Sequence, residues 1–165
     1  MRWTEATHRA FTNGNHKGVA RSTLPFVVLR KNTLLIAVLE DDPRRITAMR
    51  NATLDTDRYE RKMFDSATEL ISWLESNLER VALFSLDRDL DSTAVHDDKC
   101  GNGEDVTAFL LAQSKRFPVI IHSSNALRAP AMHMELAMAG FESVYLRPFR
   151  DADQWAADVK TALDG

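Results

Sequence analysis

The sequence predicts an α/β domain built on a doubly wound sheet of five parallel strands. From Thr33 onward, short apolar runs alternate with amphipathic segments, which is the pattern of a parallel sheet covered by helices on both faces. The first run, Leu34 to Leu39, is apolar throughout, as a central parallel strand is. A length of 165 residues with 44% hydrophobic and 27% charged side chains fits one domain of ordinary soluble composition.

Four of the strands are short apolar or β-branched segments bounded by polar, proline or glycine residues, and Tyr59 to Phe64 is a weaker strand with charged residues at its centre. The fourth, for example, starts after Pro118 and ends before His122. We expect the five strands at Leu34 to Leu39, Tyr59 to Phe64, Val81 to Leu86, Val119 to Ile121, and Ser143 to Leu146.

The helices between these strands are predicted from capping residues and from apolar positions of helical period. Asp42 with Pro43 opens the first helix, and Ser66 with Glu69 opens the second. The third covers about Glu104 to Ser114, the fourth about Pro130 to Ala139, and the last is marked by Trp155, Val159 and Leu163. In the fourth helix the set Met132, Met134 and Met138 is expected to fill the core.

Composition excludes several classes of protein. No run approaches the roughly 18 apolar residues of a membrane span, so no membrane partner is expected. The single cysteine, Cys100, can form neither an internal disulfide nor a thiolate zinc cluster, which suits a reducing, cytoplasmic location.

The net charge of −3 conceals a division of the chain into two parts. Residues 1–32 hold six Lys and Arg against one acid, whereas residues 33–165 hold 15 against 23. The first part also lacks apolar periodicity, so we expect a disordered N-terminal extension at 1–32 and a folded domain at 33–165.

Polar residues follow four of the five expected strands. Ligands of doubly wound sheets bind outside the carboxyl ends of the strands, so these residues are the candidate site. They are Glu40, Asp41 and Asp42 after the first strand, Asp87 and Asp89 after the third, His122, Ser123 and Asn125 after the fourth, and Arg147 after the fifth.

The carboxylates indicate a metal site. Glu40, Asp41 and Asp87 would repel one another unless a cation neutralised them, and a hard divalent ion, Mg²⁺, suits such an open acidic pocket. The alternative is that Asp41 and Asp42 only cap the following helix.

The other candidates suggest phosphate chemistry. Of the pair Asp87 and Asp89, one can hold a metal or attack phosphorus while the other moves a proton; the alternative is an Asp-rich turn. His122 is a candidate catalytic residue, or else a half-buried residue bonded to backbone. Candidate phosphate ligands are Ser123, Asn125 and Arg147, although Arg147 also fits an exposed surface position.

Together these residues resemble a response-regulator receiver domain. The resemblance covers about Leu34 to Leu163 and implies a flavodoxin-like sheet and, for a typical receiver, Mg²⁺-dependent phosphorylation of Asp87. It depends on Glu40-Asp41 with Asp42-Pro43, on Asp87, on Ser123, and on Arg147-Pro148-Phe149.

Other features resemble a narrower group, the cyclic-phosphate processing receiver domains. Their pattern has Leu-Asp-His-Asp-Leu, a Thr-Gly-x-Asp-Val-like helix start, and His-Ser-x-Asn. This resemblance implies handling of a cyclic phosphate on a nucleotide or RNA end. The matching segments are Leu86 to Leu90, Gly101 to Val106, and His122 to Asn125, with Arg147 in place of the receiver lysine.

One departure leaves several functions open. Arg88 stands where the family pattern has its middle histidine, so binding without turnover, as in a cyclic-nucleotide sensor, competes with a metal-assisted phosphoesterase. A signalling receiver phosphorylated on Asp87 is a further alternative. A haloacid-dehalogenase-like phosphatase using Asp87 and Asp89 is weaker, because that motif normally follows the first strand of its core.

Overall fold

The structure is a computed structural model and describes residues 33–90 and 100–165. The predicted N-terminal extension, residues 1–32, lies outside the described residues. The described chain forms five strands and five α-helices in alternation, with a short 3₁₀ turn at Leu78–Arg80. The elements are β1 (Leu34–Leu39), α1 (Pro43–Asn51), β2 (Tyr59–Phe64), α2 (Ala67–Asn77), β3 (Val81–Leu86), α3 (Gly103–Leu111), β4 (Val119–Ile121), α4 (Arg128–Met138), β5 (Val144–Leu146) and α5 (Ala152–Asp164).

All neighbouring strands are parallel, and their order is β2-β1-β3-β4-β5. The predicted doubly wound α/β fold is therefore confirmed. The winding direction reverses between β1 and β3, so a crevice opens where these two strands end.

The pleat of the sheet divides the core into two layers. In β1, Leu35 and Leu39 pack with α2, α3 and α4, whereas Ile36 and Val38 pack with α1 and α5. Burial on both faces explains why β1 is apolar at every position. None of the helices in the described ranges is long and apolar enough to cross a membrane.

Side-chain caps fix where the helices begin. The Asp42 carboxylate accepts hydrogen bonds from the first N–H groups of α1, and the Ser66 hydroxyl accepts one from the N–H of Glu69. In α3, the Asn102 side chain accepts from the N–H of Glu104, and Asp105 accepts from the N–H of Asn102. This capping box starts α3 one residue before the expected position.

The expected role of the methionines in α4 is wrong for two of the three. Met132 is buried, but Met134 is 60% and Met138 83% exposed. At about 100° per residue, Met134 and Met138 turn away from the stripe that contains Met132 and Leu136. Spacing along the sequence therefore did not place all three on one face.

Candidate functional site

An open pocket lies at the carboxyl ends of β1 and β3, at the point where the winding direction reverses. Its volume is about 750 Å³. Carboxylates predominate among the residues that line it, which are Glu40, Asp41, Asp42, Pro43, Arg45, Asp65, Ser66, Glu69, Asp87, Asp89, Cys100, Ser123 and Ser124.

The pocket gathers six of the nine candidate residues. These are Glu40, Asp41, Asp42, Asp87, Asp89 and Ser123. The other three, His122, Asn125 and Arg147, make different contacts that are described below. The expectation that ligands bind at the carboxyl ends of the strands thus predicted where the pocket lies. The direction of each side chain then decides whether that residue lines the pocket.

His122 lies beneath the pocket rather than in it. Its side chain has no exposure, and neither has that of Glu40. Its Nε2 is 3.2 Å from Oε2 of Glu40, and its Nδ1 is 2.9 Å from Oγ of Ser85. The imidazole can therefore act on a ligand only through the Glu40 carboxylate, which does not support direct proton transfer from His122.

A buried chain of hydrogen bonds continues from His122 to α5. The indole N–H of Trp155 donates to Oγ of Ser85 at 3.0 Å. Because an indole can only donate, the Ser85 hydroxyl accepts this bond and its own hydrogen is available to Nδ1 of His122. The Nε2–H of the imidazole then donates to Glu40. The chain thus orients Glu40 from below.

The surroundings of Glu40 keep it ionised. Burial raises its pKa, but the hydrogen bonds from the His122 imidazole and from the N–H of Asp42, together with the electrostatic influence of His122 and Arg45, outweigh burial. The pKa of Glu40 therefore lies below its ordinary value. An ionised carboxylate at the floor of a pocket is suited to holding a cation and unsuited to donating a proton.

Asp87 is buried and bonded through both of its oxygens. Oδ1 accepts from the N–H of Arg88 at 2.6 Å and from the N–H of Asp89 at 3.4 Å. Oδ2 accepts from Nη1 of Arg45 at 2.9 Å. The start of α3 packs against the same turn, since a Cβ on Gly103 would lie 2.3 Å from the carbonyl oxygen of Asp87. The backbone of the turn itself, the Arg45 side chain and the start of α3 therefore all fix the position of Asp87.

Arg45 is a site residue that the sequence analysis missed. From the first turn of α1 its Nη1 reaches Asp87 at 2.9 Å and Glu40 at 3.5 Å. Its guanidinium carbon lies 5.8 Å from the centre of the Phe149 ring. One feature of the sequence could have indicated Arg45. It follows Glu40 by only five residues, and the helix that starts at Asp42-Pro43 turns Arg45 back toward the end of β1.

Asp89 is held by its neighbours. Arg88 donates to its Oδ1, and the Asn125 amide donates to its Oδ2 at 2.8 Å. Burial raises the pKa of Asp89, but the bonds from Arg88 and Asn125 and the charge of Arg88 together lower it below its ordinary value. Asp89 therefore stays ionised, which does not fit the role of a proton donor.

Asn125 and Arg147 are committed elsewhere. Oδ1 of Asn125 accepts from the N–H groups of Leu127 and Arg128, so its side chain caps the start of α4. Nε of Arg147 lies 3.6 Å from the Asp158 carboxylate, and its guanidinium stands over the Tyr145 ring. The structure does not bring Arg147 to the pocket.

The sequence model of the cyclic-phosphate processing receiver domain matches residues 36–138. The chain belongs to this family. A comparison with curated proteins found no significant match. Within the family pattern, this receiver domain has Arg88 at the middle position of Leu86 to Leu90, and Arg88 bridges Asp89 and Glu104.

Solved receiver domains share the fold at low sequence identity. A signal receiver domain ascribed to a Luxo repressor protein of Vibrio parahaemolyticus is 19% identical, with a TM-score of 0.59 over 80% of this chain and 91% of that one. The phosphorylated cyanobacterial response regulator RcpA is 17% identical, with a TM-score of 0.55 over 80% and 90%. A receiver domain from Clostridium thermocellum is 20% identical, with a TM-score of 0.54 over 79% and 94%. These similarities establish a receiver fold.

Among the described residues of this receiver domain, one group of side chains could hold a metal ion. Ligand atoms of Glu40, Asp87 and His122 lie within 4.8 Å of one another. The imidazole Nε2 already contacts Glu40, whereas the two carboxylates face the pocket. Oxygen ligands are those preferred by hard divalent cations, so the carboxylates fit such an ion better than His122 does.

Proposed function

We propose that the pocket binds the cyclic phosphate of a nucleotide or an RNA end and opens the ring by hydrolysis, with Mg²⁺ as cofactor. The observation that carries the proposal is the pair of buried carboxylates, Glu40 and Asp87, at the floor of an open pocket of about 750 Å³. The description of the family as cyclic-phosphate processing supports the choice of substrate.

The residues that would hold Mg²⁺ are Glu40, Asp87 and Asp41. All three line the pocket and supply oxygen atoms, and a site of this kind leaves ligand positions for water and for phosphate oxygens. When bound, the ion would offset the negative charge of the phosphate and polarise one of its oxygens.

The side chains of the pocket would orient the phosphate. Arg45 is the only cationic side chain among the described residues that line the pocket, and its guanidinium suits two phosphate oxygens. The hydroxyls of Ser123 and Ser124 are further donors at the rim. These groups replace the predicted phosphate ligands Asn125 and Arg147.

The reaction consumes one water molecule. Its oxygen forms the new bond to phosphorus, one ester bond of the ring breaks, and the freed sugar oxygen takes up a proton from water. His122 is a positioning residue here, because it touches Glu40 and not the reacting atoms. We expect loss of the imidazole to disturb the carboxylate it supports.

Turnover of cyclic nucleotides tests the proposal. The whole chain is incubated with 2′,3′-cyclic and 3′,5′-cyclic nucleotides in the presence of Mg²⁺, and the products are followed by ³¹P NMR. Asp87→Asn and Glu40→Gln should each lower the rate on the order of 100-fold. The matched control Arg147→Gln should leave the rate unchanged, because Arg147 lies against Asp158. Turnover that survives Asp87→Asn would show that the pocket is not the active site.

A phosphoryl-accepting receiver is a second candidate, because Asp87 lies at the end of β3 in a receiver fold. Attack through Oδ2 would require Arg45 to release this oxygen, whereas the N–H groups of Arg88 and Asp89 could keep their bonds to Oδ1. Intact mass after treatment with acetyl phosphate and Mg²⁺ distinguishes the two functions. A phosphoryl adduct that is absent in Asp87→Asn, without turnover of cyclic nucleotides, would favour signalling.

A further inference from the structure

The guanidinium of Arg45 lies where a cation bound by Glu40 and Asp87 would lie. Its Nη1 contacts both carboxylates, at 3.5 Å and 2.9 Å. Both of these side chains are almost completely buried, whereas Arg45 is 29% exposed and approaches from the pocket side. The arginine therefore covers the two carboxylates from the direction of entering ions.

This contact has a clear electrostatic reason. Two buried carboxylates this close repel each other, and a positive charge between them relieves the repulsion. The Arg45 guanidinium supplies such a charge. Divalent cations and Arg45 thus need the same oxygens, Oε2 of Glu40 and Oδ2 of Asp87.

We propose that Arg45 is a built-in counterion that competes with the divalent cation for Glu40 and Asp87, and so weakens the resting affinity of the site for that cation. The proposal depends on the proposed function only for the identity of the ion. For a divalent ion to bind, the Arg45 side chain must leave both carboxylates, and it then stays near the pocket because its backbone is fixed at the start of α1.

Two features of Arg45 fit displacement rather than a permanent structural contact. Its partial exposure allows the side chain to move without opening the core. The Phe149 ring, 5.8 Å from its guanidinium carbon, offers a cation-π contact that does not use the carboxylates. Arg88, by contrast with Arg45, is in a fixed structural contact, because its two terminal nitrogens bond to Asp89 and to Glu104.

Calorimetric titration of the whole chain with Mg²⁺ and with Mn²⁺, without nucleotide, tests the competition. Arg45→Gln removes the charge and should tighten cation binding by about tenfold or more, because the Arg45 charge opposes a second cation on the same oxygens and the partial exposure of Arg45 screens that repulsion only in part. Arg45→Lys keeps the charge and should bind close to wild type. The matched control is Arg44→Gln, which removes an exposed arginine of the same helical turn and should change affinity less than about twofold.

Thermal unfolding supplies a second readout. Without divalent ions, Arg45→Gln should unfold at a lower temperature than wild type, because Glu40 and Asp87 lose their counterion. Added Mg²⁺ should then raise its midpoint more than it raises that of wild type. Together these results would show that one cation replaces the other.

Equal or weaker cation affinity in Arg45→Gln, or no measurable binding to either protein, would overturn the proposal. Failure of this proposed competition can be distinguished from failure of the proposed hydrolysis. Equal cation affinity of Arg45→Gln and wild type, with turnover of cyclic nucleotides by wild type, would remove the competition alone. Tighter cation binding by Arg45→Gln, with no turnover by wild type, would remove the hydrolytic function alone.

Discussion

Replacing Ser85 by alanine should destabilise the domain far more than loss of one small hydroxyl suggests. The Ser85 hydroxyl links the indole of Trp155 to the imidazole of His122, at 3.0 Å and 2.9 Å. All three side chains are buried, so water cannot replace the missing partner. The substitution leaves one donor and one acceptor unsatisfied.

The magnitude follows from these two groups. A buried polar group without a partner costs about 1–3 kcal/mol, so the pair should lower the free energy of unfolding by about 3 kcal/mol. For a domain of this size that is a fall of roughly 10 °C in the unfolding midpoint. Urea denaturation followed by circular dichroism measures it.

The matched control is Ser124→Ala, which removes an exposed hydroxyl two residues from His122 and should change stability by less than about 0.5 kcal/mol. Because Ser85 itself does not line the pocket, reduced turnover in Ser85→Ala would further indicate that the chain through His122 orients Glu40. A loss below about 1 kcal/mol would refute the buried hydrogen-bond chain.

Two further predictions concern the floor of the pocket. Gly103→Ala places a Cβ 2.3 Å from the carbonyl oxygen of Asp87, so we expect a loss of about 2 kcal/mol in urea denaturation together with weaker Mg²⁺ binding; unchanged values would contradict the close approach. The pKa of Glu40 is lower in the folded than in the unfolded chain, so its contribution to stability is present above the ordinary glutamate pKa of 4.5 and is lost as pH falls through the folded pKa. Unfolding measured from pH 7 to pH 3 should show this loss, and Glu40→Gln should reduce it; an equally steep decline in both proteins would contradict the assignment.

The strands could be predicted closely from the sequence, and the helix ends less so. The bounds of β1, β2, β3 and β4 agree with expectation. For β1, β3 and β4 the reason is that apolar runs between polar residues mark a buried strand, whereas β2 carries charged residues and is an edge strand of the sheet. The fourth helix begins at Arg128 and not at Pro130, because Asn125, a loop residue, caps it. The apolar periodicity of a helix does not show where a capping residue in the preceding loop starts it, so this helix start could not be predicted.

The location of the site followed from topology, and its chemistry required tertiary structure. Residues that directly follow β1 and β3 lie in the pocket because parallel strands end at one edge. His122 directly follows β4, yet its side chain points below the floor toward Ser85. The cation in the pocket is Arg45 and not Arg147. The helix start at Asp42-Pro43 placed Arg45 near the end of β1, but its contact with Asp87, 42 residues away in the chain, depends on how α1 packs against the sheet.

The most direct test of the account is ³¹P NMR of a 2′,3′-cyclic nucleotide incubated with the whole chain and Mg²⁺, beside Asp87→Asn. The account predicts that the cyclic phosphate signal is replaced by that of a phosphomonoester with the wild-type chain, and that Asp87→Asn leaves it nearly unchanged. If the folded wild-type chain leaves the cyclic phosphate signal unchanged, the proposed hydrolysis is contradicted.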